Sequence, residues 1–117
     1  MEIDKEVLKG HIDSIIISLI NEESMYGYAL AKKVRDISDN KFELKEGTLY
    51  LSLKRLDKNK LIESYWDNDQ IGGVKRKYYK ITNNGRMHLN NKIKEWKFMK
   101  NIIDKFLGSG GGNNYDE

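Results

Sequence analysis

Apolar residues recur at helical spacing along four stretches of the chain. Helices are therefore predicted over Lys5 to Asn21, about Tyr26 to Ser38, Glu46 to about Asn59 and about Asn83 to Leu107. The apolar stripes of the first three are Leu8, Ile12, Ile15, Ile16, Leu19 and Ile20; Leu30, Val34 and Ile37; and Leu49, Leu53 and Leu56. The tripeptide Phe42 to Leu44 alternates apolar and polar residues, and it predicts a very short strand.

After the third helix the pattern changes to a period of two. The segments Leu61 to Trp66 and Lys75 to Ile81 are rich in β-branched and aromatic residues, and a stretch containing Gly72 and Gly73 separates them. Two such segments around a glycine-containing turn predict a β-hairpin. Thr82 is the expected N-cap of the last helix.

Three helices followed by a hairpin is the element order of a winged helix-turn-helix. The predicted fold class is therefore mainly α with a small β-hairpin. Residues 1–82 form the winged helix-turn-helix, residues 83–107 an added C-terminal helix, and residues 108–117 a flexible tail of glycine-rich composition.

The last helix is apolar on two sides. One stripe is Leu89, Ile93, Trp96, Ile103 and Leu107, with Lys100 interrupting it, and the second is Phe98, Met99, Ile102 and Phe106. A helix with two apolar faces must be buried on both, so the pattern predicts a homodimer in which this helix dimerises. The expected cover is the first helix of the partner subunit, with Val7, Gly10, Ser14 and Ile17 on its exposed face.

The side of the third helix opposite its apolar stripe is basic. Leu51 lies in the middle of Thr48, Lys54, Arg55 and Lys58 on that side. An apolar group surrounded by cations suits the major groove of DNA, which presents thymine methyls between phosphate backbones. The alternative is an ordinary amphipathic helix with a solvated basic face, which periodicity alone favours.

Composition narrows the class of protein. The chain has 117 residues and a net charge of +3, with 21 Lys and Arg against 18 Asp and Glu, so net charge does not diagnose nucleic-acid binding. The absence of cysteine excludes disulfides and thiolate metal sites. No segment predicts a membrane span or a signal peptide, so a cytoplasmic protein without membrane contact is expected.

Candidate catalytic and metal-binding patterns are weak. His11 and His88 are single histidines without partners at ligand spacing, and both are expected to be surface residues rather than metal ligands. No Ser-His-Asp, paired-carboxylate or phosphate-loop pattern stands in a supporting context. The sequence therefore predicts neither an enzyme nor a cofactor.

Four segments carry a resemblance to a known family. The stretches YGYALAKKV, EGTLYLSLKRLDKNKLIES, GGVKRKYYKIT and NNGRMHL together resemble the PadR family of transcriptional regulators, and they cover most of Tyr26 to Leu89. The single C-terminal helix resembles the small subgroup that includes multidrug-sensing repressors. The resemblance implies a homodimeric winged helix-turn-helix repressor that binds double-stranded DNA at inverted repeats.

The chain departs from the family pattern at two positions. Members commonly have a proline where this chain has Leu51, and many begin the third helix with a Ser or Thr cap where this chain has Lys45. Lys45 is therefore expected to reach a phosphate instead. Both departures bear on the choice of operator rather than on the fold.

The basic face and the resemblance together predict the DNA contacts. They are Tyr28, Lys45, Thr48, Tyr50, Leu51, Lys54, Arg55, Lys58, Lys75 and Arg76. For Tyr28, packing against the third helix remains an equal alternative to a phosphate contact. The alternative function for the whole chain is a winged-helix protein-interaction module without its own operator.

A small-molecule effector site is predicted where the last helices of a dimer meet. Its expected residues are Val7, Gly10, Ser14, Ile93, Trp96 and Lys100. The resemblance implies that Trp96 binds a planar aromatic molecule, with one indole from each subunit stacking on it. The alternative is that Trp96 only closes the interface. Lys97 and Lys100 favour neutral or anionic ligands over cationic ones.

Overall fold

The structure is a computed structural model that describes residues 1–68, 73 and 75–108. The helices are α1 (Lys5–Leu8), α2 (Ile12–Glu22), α3 (Gly27–Ile37), α4 (Glu46–Lys58) and α5 (Asn83–Leu107), with a 3-10 turn over Lys9–His11. The strands are β1 (Met25–Tyr26), β2 (Ile62–Asn68) and β3 (Lys75–Ile81). This is the predicted winged helix-turn-helix with a long C-terminal helix, so the predicted fold class is confirmed.

The core surrounds α2, which packs against α3, α4, α5 and β3. Its buried apolar residues are Ile16, Ile17, Leu19, Ile20, Met25, Leu30, Val34, Leu44, Leu49, Leu53, Leu56, Ile62, Tyr79 and Leu89. The predicted stripes of α2 and α4 supply six of these fourteen residues, because a helix buries the side that repeats about every 3.6 residues.

The three strands form one antiparallel sheet in the order β1-β3-β2. β2 and β3 make the predicted hairpin, in register from Ile62 opposite Ile81 to Asn68 opposite Lys75. Gly73 has φ 68°, a left-handed conformation that glycine adopts without strain. Gly72, the other glycine of the predicted turn, lies outside the described residues, as do residues 109–117 of the predicted tail.

The last helix begins as predicted. The Thr82 Oγ1 accepts a hydrogen bond of 2.9 Å from the Gly85 N–H and donates one of 2.8 Å to the Lys60 carbonyl. Gly85 lies against the Leu61 carbonyl, so close that a Cβ at this position would collide with it. The cap and the glycine together fix the angle at which α5 leaves the sheet.

Two predicted elements were wrong. Phe42 to Leu44 is not a strand; the third strand is Met25–Tyr26, which pairs with Tyr78 and Tyr79 of β3. The predicted first helix is also not continuous, because the chain passes through the 3-10 turn around Gly10. Glycine has a low helix propensity, which weakens the helix at that point.

Two predicted burial assignments were wrong as well. Ile17, expected on an exposed face, is 0% exposed because α2 is enclosed by four neighbouring elements rather than by one. Ile37, expected in the core, is 65% exposed because it is the last residue of α3, at the point where the chain turns away. Within the described ranges, no helix is both long and apolar enough to cross a bilayer.

Candidate nucleic-acid interface

The exposed face of α4 has the predicted arrangement of apolar and basic groups. Leu51 is 60% exposed, and Lys54 and Lys58 are exposed on the same side of the helix. The opposite side carries the buried stripe that ends at Leu56. Because the opposite side of α4 is buried, Leu51, Lys54 and Lys58 point into solvent.

A cavity of about 360 Å³ joins the first half of α4 to α1. Four predicted DNA contacts line it: Lys45, Thr48, Leu51 and Arg55. Lys5 of α1 and Lys9 of the 3-10 turn lie on its other side and were not predicted. Their spacing of four residues, which places both on one face of a helix, was the signal available in the sequence.

A second depression of about 310 Å³ lies between α3 and the start of α4. Tyr28, Lys45 and Tyr50 line it, and the Tyr50 ring crosses directly over Gly27. Any larger residue at position 27 would collide with the Tyr50 hydroxyl. Because Lys45 borders both depressions, the predicted residues on α3 and α4 form one continuous surface.

Lys45 occupies the N-cap position of α4 without a side-chain capping bond. The first backbone N–H groups of the helix therefore have no side-chain acceptor from this residue. A helix N-terminus attracts negative charge, and the Lys45 ammonium adds to that potential. Glu46 in the first turn of α4 offsets part of this potential, so a phosphate here would be held chiefly by Lys45.

Arg55 is held by an acidic residue that the sequence analysis missed. Its Nε and Nη2 donate hydrogen bonds of 3.1 and 2.8 Å to the two carboxylate oxygens of Asp13 on α2. The buried Ser52 hydroxyl donates a third, of 2.5 Å, to the same carboxylate. The remaining guanidinium N–H groups, including both on Nη1, are still able to reach a phosphate.

The charge on Asp13 follows from these contacts. Burial raises the pKa of the Asp13 carboxyl, but the hydrogen bonds from Arg55 and Ser52 outweigh it and hold the pKa below its ordinary value. Hydrogen bonding to Asp13 raises the pKa of Arg55 in turn. Both groups are therefore charged across the neutral range, and the pair ties α2 to the middle of α4.

The hairpin places its basic residues beside an aromatic cluster. Lys75 is exposed at the start of β3, and Arg76 lies with its Cζ 4.9 Å from the centre of the Tyr26 ring. Tyr26 also contacts Tyr78 and Tyr28, with ring centroids 5.3 and 6.4 Å apart. The wing is thus connected through Tyr26 to the beginning of α3.

The predicted effector residues are only partly brought together. A cavity of about 340 Å³ lies between α1, α2 and α5 of one chain, and Val7, Ser14, Ile93 and Trp96 line it. Gly10 and Lys100 do not line it, and Lys100 instead pairs with Asp104 at 3.3 Å. The remaining lining residues are Leu8, His11, Ile15, Ser18, Leu89 and Lys92.

His11 departs from its expected role as an isolated surface residue. Its ring meets Trp96 edge-on, with centroids 5.5 Å apart. Val7, His11, Ser14 and Ser18 follow a spacing of four, three and four residues, a helical stripe that could have indicated the cavity wall. Among the residues that the structure describes, no group of three or more His, Cys, Asp or Glu side chains is placed to hold a metal ion.

Comparison with known proteins agrees with this geometry. The sequence model of the transcriptional regulator PadR-like family matches residues 16–91. A transcriptional regulator from Clostridium thermocellum is 39% identical, with 86% of this chain and 97% of that one covered, at a TM-score of 0.79. A PadR family transcription regulator from Clostridium difficile is 45% identical, with 84% and 99% covered, at a TM-score of 0.75. A PadR-like transcriptional regulator from Bacillus cereus is 32% identical, with 89% and 98% covered, at a TM-score of 0.76.

Proposed function

The chain belongs to the transcriptional regulator PadR-like family, and from that premise we propose that it is a homodimeric, ligand-responsive repressor. In this proposal it works in the cytoplasm and binds an inverted-repeat operator in double-stranded DNA. DNA-binding regulation is the activity of the family; the operator, the repression and the effector are specific to the proposal.

The observation that carries the DNA contact is the surroundings of Leu51. Leu51 is 60% exposed and is surrounded by Lys54, Arg55 and Lys58. This arrangement matches the major groove, which presents thymine methyl groups between two anionic backbones. We assign Leu51 to thymine methyls, Thr48 and Tyr50 to base edges, and the cations to phosphate or guanine.

The wing and the start of α4 complete the proposed contact. Lys45 binds a phosphate at the helix N-terminus, and Tyr28 donates its hydroxyl to the same backbone. Lys75 and Arg76 approach the neighbouring minor groove from the hairpin, where a narrow groove attracts arginine. Arg55 bridges Asp13 and a phosphate, which keeps α2 and the DNA in fixed register.

The proposal of a homodimer is supported by the exposed apolar surface of α5. Trp96 is 48% exposed and Phe106 80% exposed, and Phe98 and Leu107 are exposed as well. Apolar groups of this size in one helix are typical of a subunit interface. Val7 of α1, also exposed, extends the same surface.

The proposal of an effector rests on the cavity beside Trp96. Its walls are mainly apolar, and among the described residues the ionisable side chains that line it are His11 and Lys92. A planar aromatic ligand would stack on the indole, and the absence of a carboxylate from the lining favours a neutral or anionic one. In a dimer the second Trp96 would supply the other half of the stack.

The proposed function is tested with duplexes selected from random sequence by the wild-type protein. We expect one sequence family with two-fold symmetry, bound more weakly by Lys54→Ala, with a salt slope lower by about one unit. Lys97→Ala, an exposed lysine on α5, serves as the matched control and should leave both quantities unchanged. Failure to select any duplex would favour the alternative, a protein-interaction module without its own operator.

A further inference from the structure

Four tyrosines form a continuous row of rings from the wing to the first helix of the helix-turn-helix. Tyr65 of β2 stacks on Tyr78 of β3, with centroids 5.8 Å apart and planes inclined by 22°. Tyr78 contacts Tyr26 of β1 at 5.3 Å, and Tyr26 stacks on Tyr28 of α3 at 6.4 Å. The row crosses all three strands of the sheet.

Tyr26 has a place in this row that no other ring shares. It is the last residue of β1, the cross-strand partner of Tyr78, and the N-cap residue of α3. Its backbone is therefore fixed by the sheet on one side and by the helix on the other. A side chain that packs on the Tyr26 ring is therefore held at a fixed position relative to α3 as well as to the hairpin.

Arg76 is such a side chain. It stands two residues from Tyr78 on β3, on the same face of the sheet, and its Cζ lies 4.9 Å from the centre of the Tyr26 ring. A guanidinium over an aromatic face gains from charge–quadrupole attraction and from stacking. Part of the rotational freedom of a long arginine is thereby removed before it meets a ligand.

We propose that Tyr26 is a positioning residue for DNA binding, whose ring holds the Arg76 guanidinium in the orientation that meets the duplex. The inference rests on the proposed function, because it requires Arg76 to contact DNA. Tyr26 lies outside α4, and its contribution to DNA binding is made through the Arg76 side chain. In this arrangement the wing contact keeps a constant distance from Tyr28 and α3.

The test is a double-mutant cycle in the full-length protein, with duplexes selected by the wild type. Tyr26→Leu should weaken binding about two- to fivefold, the range expected for loss of one solvent-accessible cation–π contact, whereas Tyr26→Phe should keep wild-type affinity. In the Arg76→Ala background, Tyr26→Leu should cause no further loss. The salt slope of Tyr26→Leu should fall toward that of Arg76→Ala, which a change in stability alone would not produce.

Tyr65→Leu is the matched control, because it removes a ring of the same row that lies against Lys80, whose Nζ is 5.9 Å from its centre, and leaves the Tyr26 ring under Arg76 in place. Equal losses from Tyr26→Leu in the wild-type and Arg76→Ala backgrounds, or an equal loss in Tyr65→Leu, would overturn the inference. Should Tyr26→Leu not fold, Arg76→Lys provides the second test: it keeps the charge but loses the planar stack, so wild-type affinity would refute the positioning role. Failure of the wild type to bind any duplex would refute the proposed function instead.

Discussion

Replacing Asp13 by alanine should destabilise the fold more than replacing its partner Arg55 does. Asp13 accepts hydrogen bonds from both Arg55 and Ser52, and the Ser52 side chain is 0% exposed. Loss of the carboxylate leaves a buried hydroxyl without its acceptor, which costs about 1–3 kcal/mol. Loss of Arg55 leaves the Asp13–Ser52 bond in place and removes only a half-exposed ion pair, worth about 0.5 kcal/mol after solvent screening.

We therefore expect Asp13→Ala to lower the free energy of unfolding by about 2 kcal/mol, against about 0.5 kcal/mol for Arg55→Ala. Urea unfolding followed by tryptophan emission measures both, at one protein concentration because the stability of the proposed dimer would depend on it. In the Asp13→Ala background, Ser52→Ala should be nearly neutral or stabilising. Equal losses from Asp13→Ala and Arg55→Ala would refute the assignment of most of the energy to the buried hydroxyl.

The same carboxylate predicts a pH dependence. Since the folded state lowers the pKa of Asp13 below its ordinary value of 3.8, the stabilisation is complete above that value and is lost as the pH falls through the folded pKa. The stability difference between wild type and Asp13→Asn should be constant above about pH 5 and shrink below about pH 4. A stability difference that grows as the pH falls would contradict the lowered pKa of Asp13.

Three further predictions concern glycines and the last helix. Gly85→Ala should lower stability by more than about 2 kcal/mol in thermal or urea unfolding, because its Cβ meets the immovable backbone carbonyl of Leu61; a neutral effect would contradict this packing. Gly27→Ala meets only the mobile end of Tyr50, so it should change stability less and alter DNA selection instead, which repeating the duplex selection would reveal. Truncation after Arg86 should give aggregated or unfolded chain in size-exclusion chromatography, and a stable folded monomer would refute the role of α5.

The elements that the sequence predicted well are those with a long local period. α4 and α5 each repeat an apolar stripe over several turns, and Thr82 marks the start of α5 with a cap that needs only local chemistry. β2 and β3 are also long enough for a period of two to be visible. The bounds of β3 match the prediction, and those of β2 differ from it by one residue at the start and two at the end.

The elements that the sequence did not predict depend on distant contacts. β1 has two residues, Met25 and Tyr26, too few for any alternation to be seen, and it exists because the edge of β3 pairs with it. Phe42 to Leu44 does alternate, but it pairs with none of the described strands, and the segment that pairs with the free side of β3 is β1. Local pattern cannot decide which of two segments reaches a shared edge.

Some features of the candidate site follow from local pattern, and others depend on contacts between distant residues. The exposed face of α4, with Leu51 among lysines, follows from periodicity alone. The pairing of Arg55 with Asp13 joins residues 42 positions apart, and no local pattern indicates it. Trp96 was predicted to meet the first helix of the partner subunit, whereas it lines a cavity with Val7 and Ser14 of its own chain, and its edge-on contact with His11 requires the actual approach of α5 to the 3-10 turn.

Deoxyuridine tests the proposed reading of thymine by Leu51 in the major groove, because it differs from thymidine only by the missing C5 methyl. In a duplex selected by the wild type, each thymine is replaced in turn by deoxyuridine, and binding is measured for wild type and Leu51→Ala. At one thymine per half-site, the replacement should lower the affinity of the wild type about fourfold, as expected for one buried methyl group. The same replacement should leave the affinity of Leu51→Ala unchanged. The claim is contradicted if no replacement weakens the wild type, or if every replacement weakens both proteins equally.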